Sequence, residues 1–213
     1  MRRALPLLLF VMLAAVGCGG DSGGSQPAPV AASPAASAPA QRAGTGCHND
    51  VCNSMRNQTS PPPTVIDPAR TYAVTVHTSR GDFSLRLVPK AAPVTVNNFV
   101  YLAQNHFYDG LTFHRVVPGF VVQGGDPDGN GTGGPGYKLP DETNPAPWVK
   151  GSLGMASSAA GVNGSQFFVL LGDAPSLSTS GVYNHFGAVS SGADVVGAIQ
   201  IGDTIRTIDV AAQ

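Results

Sequence analysis

The segment 126–134 contains aspartates and glycines whose spacing could bind a metal ion or a phosphate group. Residues 126–131 (DPDGNG) match the first half of a calcium-binding EF-hand loop, but the twelfth position, which requires glutamate, is Tyr137. Residues 129–134 (GNGTGG) could surround a phosphate, yet such a loop should lead directly into a helix, and Gly136-Tyr137-Lys138-Leu139-Pro140 follows instead. Neither calcium nor a nucleotide is therefore predicted, and we expect no metal and no cofactor.

Cys18 follows a segment with the layout of an export signal. Met1-Arg2-Arg3 is cationic, and residues 4–16 are apolar but too few to span about 30 Å of hydrocarbon as a helix. The segment ends in Ala15-Val16-Gly17-Cys18, which resembles the lipobox of bacterial lipoproteins, whose cysteine receives diacylglycerol before cleavage. We predict a signal peptide over 1–17 and a lipid on Cys18. The alternative is an ordinary signal peptide with an incidental cysteine.

Cys47 and Cys52 are the two other cysteines of the chain. Export would place them in an oxidising compartment, where disulfides form and persist. A disulfide between them would close a short loop and stabilise the fold by about 2 kcal/mol at most. Free thiols are the main alternative. A metal or redox site that includes His48 fits less well, because the spacing is not C-x-x-C and the chain has no second cysteine pair.

Residues 19–46 have the composition of a flexible tether. Ala, Gly, Ser and Pro fill 22 of these 28 positions. The segment therefore has too little apolar area to offset the entropy lost on ordering. Pro61-Pro62-Pro63 then forms a stiff step toward the folded part. We predict a disordered linker over 18–63, interrupted by the small Cys47–Cys52 loop, and one folded domain over 64–213.

The charge composition excludes one class of function. The chain of 213 residues has 12 Lys+Arg against 13 Asp+Glu, a formal net charge of −1. A protein that binds nucleic acid through bulk charge needs a basic excess to displace phosphate counterions. No nucleic-acid partner is therefore expected.

From residue 72 onward the sequence favours β-structure. In the helical segment 93–104, Val96, Phe99, Val100 and Ala103 recur at helical spacing, and a second helix is predicted at 193–199. Short strands are predicted at 72–78, 82–87, 111–117, 119–123, 165–171, 185–189 and 204–210. Short strands with glycine-rich links and no βαβ alternation favour a closed or nearly closed antiparallel barrel, with the helices at its ends.

Residues 113–126 (FHRVVPGFVVQGGD) closely resemble the signature of cyclophilin-type peptidyl-prolyl isomerases. Residues 131–134 (GTGG), 151–156 (GSLGMA), 163–168 (NGSQFF) and 186–189 (FGAV) resemble further motifs of this family in the same order. The resemblance runs from about residue 72 to the end. It implies a mainly β fold, a closed eight-stranded antiparallel barrel capped by two α-helices, and catalysis of rotation about X–Pro bonds.

Rotation about an X–Pro bond breaks no bond, so it requires no nucleophile, metal or proton shuttle. The barrier arises because the twisted amide loses its resonance, and it amounts to about 18–20 kcal/mol. In the twisted state the carbonyl dipole shrinks and a lone pair localises on the proline nitrogen. An apolar pocket and a fixed cation directed at that nitrogen would stabilise this state.

The resemblance assigns these roles to particular residues. Arg115 would be the cation, since arginine cannot lose its charge; apart from the resemblance, a surface ion pair would be its ordinary role. The residues implied around the proline ring are Phe113, Phe120, Val121, Phe168 and Leu177, and for Phe113 plain core packing stays open. Those implied beside the substrate chain are Gln123, Gln166, Ala156 and Ser157, with Tyr183 in place of a usual histidine.

The sequence departs from the family pattern at the pocket wall. Ser176-Leu177 stands where many members have Trp-Leu, and the only tryptophan, Trp148, lies elsewhere in the sequence. Val121 replaces a frequent methionine. We expect the loss of the indole to weaken cyclosporin binding more than catalysis, and the smaller Val121 side chain to cost little. A non-catalytic module that binds or chaperones proline-containing segments is the alternative, and a purely structural surface lipoprotein is a third reading.

The sequence as a whole predicts a lipid-anchored isomerase of the bacterial cell envelope. Its partners would be unfolded or flexible polypeptides that contain proline, and it would contact the membrane through the lipid alone. Gly19 rather than aspartate follows Cys18, which favours the periplasmic face of the outer membrane over the inner membrane by the enterobacterial sorting rule. We expect a monomer.

Overall fold

The computed structural model describes Cys47, residues 49–179 and residues 182–213. The predicted signal peptide, the lipidation site Cys18 and the tether 19–46 lie outside the described residues. Within the described part, no helix is both long enough and apolar enough to cross a membrane.

The fold is mainly β, as predicted. The helices are α1 (Asp50–Met55), α2 (Pro93–Gln104) and α3 (Ala193–Ala198), with a 3₁₀ turn at Pro175–Ser178. The strands are β1 (Tyr72–Thr78), β2 (Gly81–Leu87), β3 (Arg115–Val117), β4 (Val121–Gly124), β5 (Lys138–Leu139), β6 (Ser152–Ser158), β7 (Gly161–Leu170), β8 (His185–Ser191) and β9 (Ile205–Ala212).

The strands form one curled antiparallel sheet. Its eight-strand path runs β3-β4-β7-β6-β8-β2-β1-β9, and β5 pairs with β7 beside this path. The two ends of the path approach each other through a single bridge between Thr112 and Thr204. Backbone hydrogen bonds from Ile205 N to Leu111 O and from Phe113 N to Asp203 O extend this contact. The predicted eight-stranded antiparallel barrel is confirmed, with its closure confined to this short stretch.

Helix α2 covers one end of the barrel and is capped by a distant residue. Its first position is Pro93, which suits a helix start, but the N-cap residue Ala92 offers no side-chain acceptor. The Glu142 carboxylate instead accepts hydrogen bonds from the backbone N–H groups of Val94 (2.8 Å) and Thr95 (2.7 Å). A carboxylate is favourable there because the helix N-terminus carries partial positive charge. The contact fixes the 141–150 connection to the start of α2.

Aromatic side chains fill the barrel interior. Phe99 of α2 lies 5.4–5.5 Å, centroid to centroid, from Phe167 and from Phe186. Tyr108 packs against the same group, 5.2 Å from Phe99. Edge-to-face and tilted arrangements of this kind add to the gain from burying the rings. The helix and the strands β7 and β8 are thereby held in one core.

The prediction of a disordered linker up to residue 63 is corrected for its last part. Cys47 and Cys52 are joined by a disulfide, and Cys52 and Met55 are buried in the main hydrophobic core. The Asn49 side chain caps α1 by accepting a hydrogen bond from Cys52 N at 2.6 Å. Composition did not indicate this because a helix of six residues is stable only through such caps and tertiary contacts.

Strands β5 and β6 were not predicted from the sequence. Strand β6 (SLGMASS) consists largely of small residues, which have low intrinsic preference for strands. The predicted strand 111–117 is divided at His114. Phe113 pairs with the chain before β9, whereas Arg115 pairs with Gln123 of β4.

Candidate active site

A cavity of about 260 Å³ opens on the face of the sheet where β3, β4, β6 and β7 meet. All of the predicted groove residues except Phe113 and Gln166 line it. They come from the β3–β4 hairpin, from β6 and β7, from the 3₁₀ turn and from the loop before β8: Arg115, Phe120, Val121, Gln123, Ala156, Ser157, Phe168, Leu177 and Tyr183. The structure therefore brings together residues that lie as much as 68 positions apart in the chain.

Strand register explains why these side chains meet. Arg115 of β3 pairs with Gln123 of β4, and Gln123 in turn pairs with Phe168 of β7. Val121, two residues before Gln123, points to the same face of the sheet because side chains alternate with a period of two. One row across three strands thus carries a cation, an amide and an aromatic ring, with an apolar side chain next to it.

The Arg115 guanidinium lies at the rim of the cavity. Its Nη1 donates a hydrogen bond to Gln123 Oε1 at 3.4 Å, and its Cζ lies 5.7 Å from the centroid of the Phe120 ring. The described residues include five ion pairs, and Arg115 takes part in none of them. A surface ion pair, the ordinary role of such an arginine, is therefore not its role among the described residues. Its charge faces the cavity beside neutral groups.

Gln166 lies behind Arg115 and Gln123. It is almost fully buried, its Oε1 accepts a hydrogen bond from Gln123 Nε2 (2.9 Å), and its Nε2 donates to Gly133 O (2.9 Å). Gln166 lines an adjoining cavity of about 340 Å³, together with Gln123, Ala156 and Ser157. The prediction that it lines a neighbouring groove thus agrees with its position, and its two hydrogen bonds fix the Gln123 side chain.

Phe113 does not line the cavity. Its ring is buried in the main core, beneath Gly124 of β4. The plain core interpretation that the sequence left open for Phe113 therefore describes its place in the structure.

Trp148 packs beneath the ring of Phe168 that lines the cavity, a role that was not predicted from the sequence. Its ring stacks on Phe168 at 5.6 Å and contacts the Tyr183 ring edge-on at 6.3 Å. It is buried in a second hydrophobic cluster with Val121, Phe168 and Leu177. Indole and phenyl rings meet there because Gly154 has no side chain: a Cβ on Gly154 would lie 2.6 Å from Phe168 and 2.7 Å from Trp148.

Two histidines next to residues that line or support the cavity, His114 and His185, have lowered pKa values, which favours their neutral forms. Burial lowers the pKa of His114, and the neighbouring Arg115 charge lowers it further against the opposing effect of Asp126. Burial also lowers the pKa of His185, whose ring lies 4.7 Å from Trp148 and does not line the cavity. Arg115 is therefore the permanent positive charge that faces the cavity among the described residues lining it.

Comparison with known proteins agrees with the resemblance. A sequence model described as "Cyclophilin type peptidyl-prolyl cis-trans isomerase/CLD" matches residues 73–212. A peptidyl-prolyl cis-trans isomerase of Synechococcus elongatus is 45% identical over 137 residues, which cover 63% of this chain and 93% of that protein. Peptidyl-prolyl cis-trans isomerase B of Bacillus subtilis is 49% identical over 126 residues, which cover 58% and 87%.

Solved structures give the same result. The crystal structure of a cyclophilin-type peptidyl-prolyl cis-trans isomerase of Cryptosporidium parvum is similar with a TM-score of 0.61 and 29% identity. The similarity covers 67% of this chain and 99% of that one. A second structure of that protein, determined in the presence of the dipeptide Ala-Pro, has a TM-score of 0.60 and 30% identity.

Trp148→Leu tests the support beneath Phe168. The smaller side chain leaves space under the ring, and we expect the Kd of a proline-containing peptide to rise about fivefold, equivalent to ~1 kcal/mol. Isothermal titration measures the Kd, and Trp148→Phe should retain most of the affinity. Phe83→Leu, a matched loss of a buried aromatic ring in the main core, should lower the free energy of unfolding without changing the Kd. An unchanged Kd for Trp148→Leu would show that the ring is only core.

Proposed function

The chain belongs to the cyclophilin-type peptidyl-prolyl cis-trans isomerases, and we propose that its Arg115 stabilises the nitrogen of the twisted X–Pro bond above the apolar cavity. One observation carries this proposal: the guanidinium lies at the cavity rim, hydrogen-bonded to the neutral Gln123 side chain and packed over Phe120. A cation so placed can donate to a lone pair that exists only in the twisted state. It therefore favours the transition state over the planar ground state.

The apolar wall supplies the second part of the stabilisation. Val121, Phe168 and Leu177 are nearly fully buried, whereas Phe120 and Tyr183 remain partly exposed at the mouth. A proline ring that enters between them loses contact with water, and so does the carbonyl that precedes it. The planar amide, whose dipole is larger, loses more solvation there than the twisted amide does.

The magnitudes show that neither part suffices alone. An acceleration of about 10⁵ corresponds to roughly 7 kcal/mol. A single hydrogen bond from a charged donor contributes about 1.5–3 kcal/mol. The remainder must come from the apolar cavity and from holding the substrate chain in the orientation that rotation requires. Gln123, Ala156 and Ser157, which line the polar side of the cavity, are placed to hold that chain.

We propose that the substrates are exported polypeptides in the bacterial cell envelope. The support comes from the sequence: a cationic start, a short apolar run and a lipobox-like segment ending at Cys18. A lipid on Cys18 and the Ala/Gly/Ser/Pro-rich segment after it would hold the isomerase near the membrane surface while leaving it free to reach unfolded clients. The cavity is lined by residues of one chain, so a monomer would suffice.

Replacement of Arg115 tests the catalytic proposal. Arg115→Ala should lower kcat/KM on an X-Pro peptide about 100-fold, the usual cost of removing a transition-state donor. Arg115→Lys should retain a fraction of the activity, because it keeps the charge and loses the planar fork. A protease-coupled assay gives the rates, and Arg206→Ala, an exposed arginine of β9, is the control. Unchanged activity in Arg115→Ala would refute the proposed mechanism.

The pH dependence provides an independent check. His114 and His185 have lowered pKa values, so they take up protons only below the ordinary histidine range and stay neutral above it. We therefore expect kcat/KM to change less than about twofold between pH 7 and 8.5. A bell-shaped profile centred in this interval would mean that a titrating group takes part, and His114→Gln would identify whether it is His114.

Mass spectrometry of the membrane fraction tests the anchor. In a bacterial host with lipoprotein processing, the mature chain should begin at Cys18 and carry diacylglycerol on its sulfur. Cys18→Ser should abolish the lipid and release the protein from membranes, whereas Cys47→Ser, the matched control, should keep it. A mature N-terminus elsewhere without lipid would establish an ordinary signal peptide and remove the anchor from the proposal.

A further inference from the structure

We propose that the segment before the barrel positions Arg115 through the glycine loop, residues 126–136. The segment, here called the N-terminal clamp, consists of Cys47 and residues 49–58 and contains α1 and the Cys47–Cys52 disulfide. No residue of the clamp lines the cavity that holds Arg115. The clamp is therefore a positioning element, and the inference rests on the role proposed above for Arg115.

The clamp holds the glycine loop at both ends. At the start of the loop, Cys47 N donates to Pro127 O (2.9 Å), and the Arg56 guanidinium forms an ion pair with the Asp128 carboxylate. At its end, Gln58 N donates to Pro135 O (2.9 Å). The backbone of the clamp also lies so close to Gly136 that a Cβ there would be 2.5 Å from Gln58 O. Contacts at two separated points restrict the loop more than one contact would.

The clamp is itself fixed to the barrel. Asn49 Nδ2 donates to the backbone carbonyls of His106 (3.3 Å) and Asp109 (3.2 Å), just after α2. Cys52 is fully buried, and Met55 is nearly so, in the main hydrophobic core. The disulfide shortens the path between Cys47, which contacts the loop, and Cys52, which is anchored in the core. The core therefore holds the clamp in place, and the clamp in turn restrains the glycine loop.

Inside the glycine loop, a buried carboxylate organises the backbone. Asp126 is fully buried and accepts hydrogen bonds from the backbone N–H groups of Asp128 (2.8 Å), Asn130 (3.0 Å) and Gly131. These hydrogen bonds hold the backbone of 126–131 together around the Asp126 carboxylate. Fixing Asp128 from the clamp side also fixes the chain that leads to Gly133.

Hydrogen bonds lead from Gly133 to the catalytic arginine. Gly133 O accepts from Gln166 Nε2 (2.9 Å), Gln166 Oε1 accepts from Gln123 Nε2 (2.9 Å), and Gln123 Oε1 accepts from Arg115 Nη1 (3.4 Å). The side-chain amides of Gln166 and Gln123 each donate one and accept one of these hydrogen bonds. A shift of Gly133 should therefore change the orientation of both side chains. The last bond is the longest and the least restrained. Loss of the contact between the clamp and the glycine loop should therefore change mainly the orientation of Arg115.

Arg56→Ala removes the ion pair to Asp128 and leaves the cavity residues unchanged. In the full-length chain we expect kcat on an X-Pro peptide to fall about fivefold, with a smaller change in KM, because Arg115 acts on the twisted state rather than on the bound planar one. Arg56→Lys should restore most of kcat. Arg80→Ala, which removes a comparable ion pair to Asp203 (2.7 Å) at the β1–β2 turn, is the matched control and should leave kcat unchanged.

A double-mutant cycle tests the route. In a Gln123→Ala background the connection to Arg115 is already broken, so adding Arg56→Ala should lower kcat by less than twofold. Hydrogen exchange of the Asn130 and Gly131 amides should become faster in Arg56→Ala and remain unchanged in Arg80→Ala. Should Arg56→Ala fold poorly, Asp128→Asn removes the same ion pair from the loop side and should give the same kinetic result.

The outcomes separate this inference from the proposed mechanism. If Arg115→Ala is inactive while Arg56→Ala keeps wild-type kcat, the mechanism stands and the clamp has only a structural role. A full additive loss on adding Arg56→Ala to Gln123→Ala would likewise overturn the route through Gln166 and Gln123. If Arg115→Ala remains active, the mechanism itself fails, whatever the clamp does.

Discussion

The proposed catalysis depends on keeping one guanidinium charged and directed at the cavity, and no carboxylate of the described residues forms an ion pair with it. Under the proposed mechanism, a carboxylate close to Arg115 would neutralise its field and compete with the proline nitrogen for its N–H groups. Arg115 is held instead by a neutral amide and an aromatic face, Gln123 and Phe120. Neutral partners orient a cation weakly, so the side chain that holds Arg115 must itself be held by other groups. The buried amide of Gln166 and the carbonyl of Gly133 do this.

The apolar wall of the cavity likewise depends on residues that pack behind it and hold its side chains in place. The side chain at Ser176 cannot provide the indole that many family members have at this point. Trp148 instead stacks on Phe168, in the space left by Gly154. The Phe168 ring that lines the cavity thus remains packed although the tryptophan comes from another part of the chain. A glycine inside a strand, normally unfavourable there, is the condition for this arrangement.

Contiguous sequence motifs predicted most of the site. The predictions failed for residues whose positions depend on contacts between distant segments of the chain. Arg115, Phe120, Val121 and Gln123 belong to one hairpin, so their mutual positions follow from a contiguous signature. Phe113 was ambiguous because the chain changes its pairing partner at His114, which removes the strand alternation that would have linked Phe113 to Arg115. Trp148 depends on the path of the 141–150 connection, and α1 depends on contacts with the glycine loop. Neither leaves a periodic pattern in the sequence.

The disulfide connects the fold of the clamp to the compartment in which the chain would work. Six residues of α1 cannot hold a helix by themselves, and Cys47 lies at the end of a segment whose composition gives it no core of its own. In an oxidising compartment the Cys47–Cys52 bond persists and keeps the first contact with Pro127 close to the buried Cys52. In a reducing one, Cys47 would be connected to the buried Cys52 only through the intervening backbone. The proposed export would place the chain in an oxidising compartment, where the Cys47–Cys52 disulfide persists. The proposed positioning of Arg115 by the clamp depends on the same disulfide, so the two proposals support each other.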